Sequence, residues 1–232
     1  MSARKLYELA GKRDNQVFSP YCWRIRLALA HKGLAVQHAS WRFTEKDSIA
    51  HSGQGAVPVL EDNGQVIHDS WNIACYLDRV YADRPALFDS PMSKGQALFI
   101  KHWLEGVIHP AMIKIVIMDI LNCLDEKDQA YFRQSREARF GVSLEAFEDK
   151  SPEQLQRLRQ ALAPVRQTLK LQPFLSGQGV GFADFMLLGA FLWTGSVSDT
   201  ALLESDDPIA HWREELLKSY AGALEGVLRP GF

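Results

Sequence analysis

The pattern of apolar residues changes once along this chain, near residue 82, and that change limits the folds that the chain can adopt. Before this point, short strand-like segments alternate with helical ones. After it, only helix-like spacing is found, and no strand-like alternation returns. An alternating α/β segment followed by helices alone predicts two units, each with its own layers of secondary structure.

The first unit has the predicted order β-α-β followed by β-β-α. The predicted strands are Lys5–Leu9, Ala35–Trp41, Val57–Leu60 and Gln65–His68, the predicted helices are Pro20–Lys32 and Trp71–Tyr81, and residues 44–50 are expected to be irregular with a helical turn. Asp62-Asn63-Gly64 is a strong hairpin signal between the last two strands. Gly33 stands where a glycine commonly ends a helix.

The second unit is predicted to be helical throughout. A Pro-containing linker, Arg84-Pro85 to Ser90-Pro91, precedes it. The predicted helices cover residues 93–122, 127–147, 152–171, 182–196 and 208–219. We therefore expect an N-terminal domain at 1–82, a linker at 83–92 and a helical C-terminal domain at 93–232.

Composition argues against several classes of function. The net charge of −2 provides no basic field for nucleic acid, and the apolar stretches are broken by charged residues, so no membrane span is expected. Three widely spaced cysteines and the lack of a secretory-signal pattern near Met1 favour free thiols in a reducing cytoplasm. The seven histidines and three cysteines show no metal-ligand spacing, so no metal site is predicted.

The chemistry concentrates at Ser19-Pro20-Tyr21-Cys22, where the first helix is predicted to begin. A helix start presents unpaired backbone N–H groups and the positive end of the helix dipole, which stabilise an anion such as a thiolate. Pro20 suits the first helical position because it has no N–H to leave unpaired. Ser19 alone is equally typical of an ordinary helix cap, and Cys22 alone is more often a small buried side chain than a reactive thiol.

Two further features accompany this helix start. Val57-Pro58 lies where a strand begins, and a cis bond there would leave the Val57 backbone free to pair with an extended peptide; an edge-strand proline is the alternative. Asp69-Ser70 precedes a helical run and offers donors to a carboxylate and a carboxylate to an ammonium group. A plain helix cap is the alternative there.

Together these motifs resemble those of the glutathione transferase superfamily. Ser19-Pro20-Tyr21-Cys22 is similar to the glutaredoxin Cys-Pro-Tyr-Cys motif with serine in place of the first cysteine. Ala56-Val57-Pro58-Val59-Leu60 resembles the family's cis-proline strand, and Asp69–Leu77 resembles the helix that binds the γ-glutamyl end of glutathione. Gly181-Phe182-Ala183-Asp184 falls where the family has a buried helix-capping box. The resemblance implies a thioredoxin-like N-terminal domain followed by an all-helical C-terminal domain.

The resemblance also implies a role for each motif residue. Ser19 would donate a hydrogen bond to the glutathione sulfur and so activate the thiolate. Val57 would pair with the cysteinyl backbone of glutathione, and Pro58 would enforce the turn. Asp69 and Ser70 would hold the amino and carboxylate groups of the glutamyl end.

Two departures from the family pattern stand out. Ala56 replaces a basic or long polar residue, so the glycyl carboxylate of glutathione would be held by Gln54, by Arg42 or by the Gly11–Gln16 loop. Gly181 replaces the usual serine or threonine of the capping box, so the side-chain cap is expected to be missing there.

Ser-Pro-Tyr-x-Trp-Arg at residues 19–24, Phe43-Thr44 and the Phe-Leu-Trp-Thr run at 191–194 look most like the bacterial lignin β-etherase group and its fungal etherase-like relatives. That resemblance implies glutathione attack on a hydrophobic, aromatic or aryl-ether electrophile, and a homodimer. The candidate wall of the second-substrate pocket is formed by Tyr21, Trp103, His109, Met112 and Trp193. We expect Pro110, next to His109, to bend its helix.

Two competing sulfur-activating residues and two competing functions stay open. Tyr7 falls within the first strand and is interpreted as a packing residue. Cys22 would be the nucleophile of a glutathione-dependent thiol-disulfide reductase, although its position matches a resolving cysteine. A non-catalytic binder of hydrophobic ligands is the third alternative.

Overall fold

The computed structural model describes residues 4–231 and contains a four-stranded mixed sheet in its N-terminal part. The strands are β1 (Lys5–Leu9), β2 (Gln37–Trp41), β3 (Val59–Asp62) and β4 (Gln65–His68), and the helices of this part are α1 (Pro20–His31), a 3-10 helix (Lys46–Ser52) and α2 (Ser70–Val80). The sheet order is β2-β1-β3-β4. β1 is parallel to β2 and antiparallel to β3, and β4 is antiparallel to β3. This is the predicted thioredoxin-like arrangement.

Local sequence signals explain where these elements turn and end. Asn63 and Gly64 have φ values of 51° and 78°, as a tight hairpin turn with two left-handed residues requires. Gly33 follows α1 with φ 64° and so ends the helix as predicted. β3 begins two residues later than predicted, because Val57 and Pro58 lie before the strand rather than in it.

The C-terminal part is helical. Its helices are α3 (Pro91–Trp103), a π-helix (Leu104–Ile108), α4 (His109–Cys123), α5 (Glu126–Phe140), α6 (Leu144–Phe147), α7 (Pro152–Ala161), α8 (Ala163–Leu169), α9 (Phe182–Gly195), α10 (Pro208–Ser219) and α11 (Ala221–Leu224). The exact domain boundaries stay a prediction. Within residues 4–231, no helix has the length and apolar character needed to cross a membrane.

The long helix predicted at 93–122 is interrupted in its middle. Five residues, Leu104–Ile108, form a π-helix in which the His109 N–H bonds the Leu104 carbonyl. The next residue, Pro110, has no N–H to offer to the helix. The regular α-helical hydrogen bonding is therefore interrupted here by a π-helical turn, a feature that is frequent at functional sites.

Two other predicted helices are each divided. The segment at 127–147 breaks at Gly141, whose φ of 73° ends α5 in a left-handed residue. The segment at 152–171 breaks at Leu162, and Pro164 lies in the first turn of α8, where a missing N–H is tolerated. α11 was not predicted.

Helix α9 forms the centre of the molecule. All of its residues, Phe182–Gly195, are buried, and it packs against α1. A Cβ atom at Gly189 would lie 2.9 Å from the Pro20 carbonyl oxygen and 3.2 Å from the Arg24 nitrogen. Only glycine permits this close approach, so α9 supports the first turn of α1 directly.

The start of α9 is capped without a serine or threonine, as the sequence predicts. A Cβ atom at Gly181 would lie 2.6 Å from Ser176 Oγ, so the Ser176 side chain fills the space that a longer residue would need. The buried Asp184 carboxylate accepts hydrogen bonds from the backbone N–H groups of Leu175, Ser176 and Gly181 and from Trp212 Nε1. These bonds replace the missing side-chain cap.

Candidate functional site

Ser19 stands at the N-terminus of α1 with its side chain only 5% exposed. Its backbone is extended, Pro20 is the first helical residue, and Ser19 Oγ accepts a hydrogen bond from the Cys22 N–H at 3.3 Å. A hydroxyl that accepts in this way keeps its own proton to donate. Ser19 therefore serves as a helix cap and still has one donor available.

Cys22 lies one turn further along α1 and is fully buried. Burial, the largest effect, raises the pKa of its thiol to about 12, and the negative charge of Glu8 acts in the same direction. Because the thiolate is the reactive form of cysteine, a thiol with this pKa is inert at neutral pH. Tyr7, the other competitor, is buried in β1 and donates a hydrogen bond from its hydroxyl to Glu61 Oε1 at 2.8 Å.

The predicted cis peptide bond between Val57 and Pro58 is present. Val57 lines a cavity next to Ser19. Among residues 4–231, no hydrogen bond is made to the backbone N–H or C=O of Val57. These two groups are therefore available to an extended peptide that lies beside β3.

Asp69 and Ser70 begin α2. Asp69 adopts a positive φ of 65°, which is uncommon for a residue other than glycine, and its Oδ1 accepts from the N–H groups of Trp71 and Asn72 at 3.0 Å each. Ser70 is 2% exposed, and its Oγ has no hydrogen-bond partner within the described part of the chain. A buried hydroxyl without a partner is costly, so the Ser70 Oγ is a donor whose bond is still to be made.

A cavity of about 610 Å³ joins the two parts of the protein at this place. Ser19, Val57 and Tyr21 line it from the N-terminal part, and His109 and Trp193 line it from the helical part. Its size and its mainly apolar and aromatic walls are typical of a site for small molecules.

His109 is the residue that follows the π-helix, and its ring lines the cavity. Its ring centroid lies 5.7 Å from that of Tyr21 and 5.6 Å from that of Trp193, both edge to face. Burial, followed by the charge of Arg24, lowers the pKa of His109 to about 3, so its imidazole is neutral at physiological pH. The Nε2 atom of this buried ring has no partner among the described residues.

Seven of the predicted site residues do not line the cavity: Pro58, Asp69, Ser70, Trp103, Met112, Arg42 and Gln54. Trp103 is half-buried at the end of α3, and Met112 is fully buried in the interior. Arg42 turns away and donates from Nη2 to Asp14 Oδ1 at 2.6 Å, and Gln54 donates from Nε2 to the Ala56 carbonyl at 2.7 Å. Apolar spacing alone did not reveal which helix face lines the cavity, and charge alone did not reveal which side chains already have partners.

Lys46 is a cationic cavity residue that the sequence prediction did not include. It extends from the 3-10 helix, donates to the Gly55 carbonyl and lies with its Nζ 4.8 Å from the centroid of the Trp41 ring. It lines the cavity beside Gly55 and Val57. The sequence carries a weak signal for it, since Lys46 is the one cation in the polar segment 44–50.

Within residues 4–231, no cluster of histidine, cysteine, aspartate or glutamate residues has the arrangement of a metal site.

The fold and the site define a class of protein: a thioredoxin-like domain whose first helix begins at a cavity shared with a helical domain. Family models for the N-terminal domain and the C-terminal domain of glutathione S-transferase match residues 18–80 and 96–226, respectively. The chain therefore belongs to the glutathione S-transferase family.

Curated relatives are similar at modest identity. A probable glutathione S-transferase, GSTU6 from Oryza sativa subsp. japonica, is 25% identical over 90% of this chain and 84% of its own length. Glutathione S-transferase U7 from Arabidopsis thaliana is 30% identical over 42% of this chain and 44% of its own length. Glutathione transferase omega-1 from Caenorhabditis elegans is 28% identical over 53% of this chain and 50% of its own length. The chain thus aligns with about half the length of the last two relatives.

Solved structures share the fold over almost the entire chain. Glutathione transferase GSTFuA3 from Phanerochaete chrysosporium superposes with a TM-score of 0.85 at 22% identity, covering 97% of this chain and 98% of that one. A glutathione S-transferase from Ceriporiopsis subvermispora, solved in complex with glutathione, superposes with a TM-score of 0.80 at 20% identity, covering 96% of this chain and 99% of that one. At these identities the likeness concerns the fold.

Proposed function

We propose that this protein binds glutathione as its co-substrate and transfers it to a hydrophobic aromatic electrophile, with Ser19 as the activating residue. One observation carries the proposal. The Ser19 hydroxyl lines a 610 Å³ cavity at the N-terminus of α1 and retains a proton to donate. A sulfur atom bound there would meet a hydroxyl donor and the positive end of a helix dipole together.

The energetics of thiol activation are consistent with this arrangement. A free thiol has a pKa of about 8.5 and is mostly protonated at neutral pH. Lowering that pKa by about 2 units requires roughly 2.7 kcal/mol of preference for the thiolate. A hydrogen bond to a charged group contributes about 1.5–3 kcal/mol and a helix terminus about 0.3–1 kcal/mol, so the two together are sufficient.

The remaining polar groups fit the rest of a glutathione molecule. The unpaired backbone of Val57, next to Pro58, suits the cysteinyl residue, as one strand beside another. The unpartnered Ser70 hydroxyl suits the glutamyl carboxylate, and the Asp69 carboxylate suits the glutamyl ammonium group. In our proposal Lys46, rather than Arg42 or Gln54, binds the glycyl carboxylate of glutathione.

The electrophile would occupy the aromatic part of the cavity, against Tyr21, His109 and Trp193. Holding it beside the sulfur supplies the proximity that such a reaction needs. An aryl ether is one substrate class within this proposal: the thiolate attacks the ether carbon, a C–S bond forms, the C–O bond breaks, and the phenolate leaves with the electron pair. A neutral electrophile with a halide leaving group would follow the same course.

The competing functions have less support. A thiol-disulfide reductase needs an accessible thiolate, whereas Cys22 is fully buried and its pKa is raised to about 12 by that burial. A non-catalytic binder of hydrophobic ligands would have no use for a buried, unpartnered serine hydroxyl at Ser70.

The test compares Ser19→Ala with Cys22→Ala. We expect Ser19→Ala to raise the apparent pKa of enzyme-bound glutathione by about 1–2 units, because one hydrogen bond to a charged sulfur is lost. The measurement is thiolate absorbance against pH, together with the pH dependence of conjugation. Cys22→Ala serves as the control and should leave that pKa unchanged. Loss of conjugation in Cys22→Ala alone would contradict the assignment, and the absence of saturable glutathione binding at millimolar concentration would favour a non-catalytic role.

We also propose a cytoplasmic homodimer. Met92 and Phe99 lie two turns apart on α3 and are 84% and 73% exposed, which is unusual for large apolar side chains in a monomer. Three unpaired cysteines are consistent with a reducing compartment. Light scattering should give twice the chain mass of 26.2 kDa, and Phe99→Glu should reduce it to the monomer value. A monomeric wild-type protein would contradict this proposal.

A further inference from the structure

Helix α5 places two arginines on the cavity wall that the thiol chemistry does not use. Arg136 and Arg139 are one turn apart on α5, and both line the cavity. Within residues 4–231, neither forms an ion pair with a carboxylate. Arg133, one turn earlier, differs in this respect, because it binds Glu137 and Glu145. The carboxylates of this region therefore neutralise Arg133 and leave the two cavity-facing arginines uncompensated.

Aromatic rings surround these two charges. The Arg136 guanidinium carbon lies 5.0 Å from the centroid of the Phe132 ring and 5.7 Å from that of Phe43, and the corresponding distance from Arg139 to Phe140 is 5.8 Å. Phe140 and Phe147 stack with their centroids 3.9 Å apart. Such a wall offers flat apolar contact to an aromatic ring and cationic ends to an anion.

The charge around the cavity is positive on balance. Among the described residues that line it, four are cationic and one, Glu105, is a carboxylate. Glu105 already binds Lys101 at 2.8 Å and Arg24 at 3.5 Å. Burial, followed by the nearby charge of Arg139, lowers the pKa of Arg136. Two like charges on one partly buried wall oppose each other, and an anion between them removes that opposition.

Arg139 also faces the thiol side of the cavity. Burial raises the pKa of Tyr21, and the positive charges of Arg24 and Arg139 act against that rise. Tyr21 is two residues from Ser19, so the Arg139 charge acts on the same first turn of α1 at which the sulfur would be bound. Ser19, Arg136 and Arg139 all line the same 610 Å³ cavity, so a single small molecule could contact the arginines and the sulfur together.

We propose that the second substrate is an aromatic electrophile that carries an anionic group, and that Arg136 and Arg139 bind this anion. The inference rests on the proposed transferase function. It narrows the substrate class from hydrophobic aromatics in general to anionic ones. The two arginines determine specificity through direct contact with the substrate and take no part in activating the thiol.

The test uses two probes that differ in one charge: 4-chloro-3-nitrobenzoate and its methyl ester. In each reaction the glutathione thiolate attacks the ring carbon that bears chlorine, a C–S bond forms, the C–Cl bond breaks, chloride leaves with the electron pair, and the thiol proton passes to solvent. The ester activates the ring more than the carboxylate does. The ratio of kcat/KM for acid over ester is therefore compared between proteins.

We expect Arg136→Ala to lower this ratio about tenfold, which corresponds to about 1.4 kcal/mol. Arg139→Ala should lower it in the same direction, and Arg136→Lys should restore part of it. Arg133→Ala is the matched control, because Arg133 lies on the same helix, does not line the cavity and has its own carboxylates. Its ratio should equal that of the wild type. The wild-type preference should also weaken as salt is added, since salt screens a partly exposed charge pair.

The other outcomes are distinct. If ester conjugation persists and the ratio is the same in all the variants, the inference is overturned while the transferase function stands. If Arg136→Ala raises the KM for glutathione and leaves the ratio unchanged, Arg136 binds a glutathione carboxylate and the inference is again overturned. If the wild type conjugates neither probe and shows no saturable binding of glutathione by titration, the proposed function fails and the inference falls with it.

Discussion

Ser70 offers the sharpest test of the glutathione site, because its two effects should have opposite signs. Its hydroxyl is buried, 2% exposed, and has no hydrogen-bond partner within residues 4–231. Leaving a buried polar group unpaired costs about 1–3 kcal/mol. Ser70→Ala removes that cost and also introduces a residue that favours helix by about 0.5 kcal/mol. We therefore expect the ligand-free variant to be about 1.5–3.5 kcal/mol more stable than the wild type.

The affinity for glutathione should fall in Ser70→Ala, in contrast to the rise in stability. A hydrogen bond to a carboxylate contributes about 1.5–3 kcal/mol, so its loss should weaken glutathione binding about tenfold to hundredfold. At a ligand concentration of 100 times the wild-type Kd, the wild type gains about 2.7 kcal/mol, whereas a variant with tenfold weaker binding gains roughly 1.4 kcal/mol. The variant should start with a higher Tm and gain less from the ligand.

The assay is thermal unfolding with and without glutathione, combined with calorimetric titration. Ser196→Ala is the matched control, because Ser196 is equally buried but its Oγ already donates to the Leu192 carbonyl at 2.7 Å. It should not change glutathione affinity. A Ser70→Ala protein that is less stable without ligand and binds glutathione with wild-type affinity would refute the reasoning, since Ser70 would then be a structural residue only.

Two more predictions concern the support of the site. Gly189→Ala should lower the free energy of unfolding, measured with urea, by about 1–3 kcal/mol and weaken glutathione binding, because its Cβ would lie 2.9 Å from the Pro20 carbonyl. Gly95→Ala should instead raise the free energy of unfolding by about 0.5–1 kcal/mol, because nothing lies within 4 Å of its Cβ position on α3. Equal effects of the two substitutions would contradict this. The pKa of His109 is lowered to about 3, so the unfolded chain binds the extra proton and stability falls as the pH drops below 6.5. Between pH 7 and pH 5 the free energy of unfolding of the wild type, measured with urea, should fall by about 2 kcal/mol more than that of His109→Phe. Burial also lowers the pKa of His31, but His31 is present in both proteins. An equal fall in the two proteins would therefore exclude His109 as the cause.

Features that depend on neighbouring residues could be predicted from the sequence. The turn at Asn63-Gly64, the cis bond before Pro58 and the cap at Ser19 follow from the backbone preferences of a few adjacent residues. Each is local, so each leaves a signal at its own position. The same locality explains why the sequence alone could single out Ser19, Val57 and Ser70 as candidates for the thiol-binding half of the proposed site.

The opposite wall of the cavity left no comparable signal. Whether a helical residue such as Trp103, Met112 or Arg136 faces the cavity depends on how α3, α4 and α5 are rotated against α9, and helical periodicity does not contain that rotation. The π-helix at Leu104–Ile108 adds to the difficulty, because one extra residue in a turn shifts the face on which every later residue of α4 lies.

The two halves of the site are nonetheless joined by one buried carboxylate on α5. Asp128 is 1% exposed and accepts hydrogen bonds from the backbone N–H groups of Phe43 at 3.1 Å and Thr44 at 3.0 Å. The helix that carries Arg136, our proposed contact for the electrophile, therefore also fixes the segment after β2, which leads into Lys46, our proposed contact for glutathione. Because the arginines sit two and three turns beyond Asp128, they can be exchanged without loosening that attachment. If the proposed roles hold, the preference for one electrophile over another can change on α5 while the helix start at Ser19 keeps its geometry.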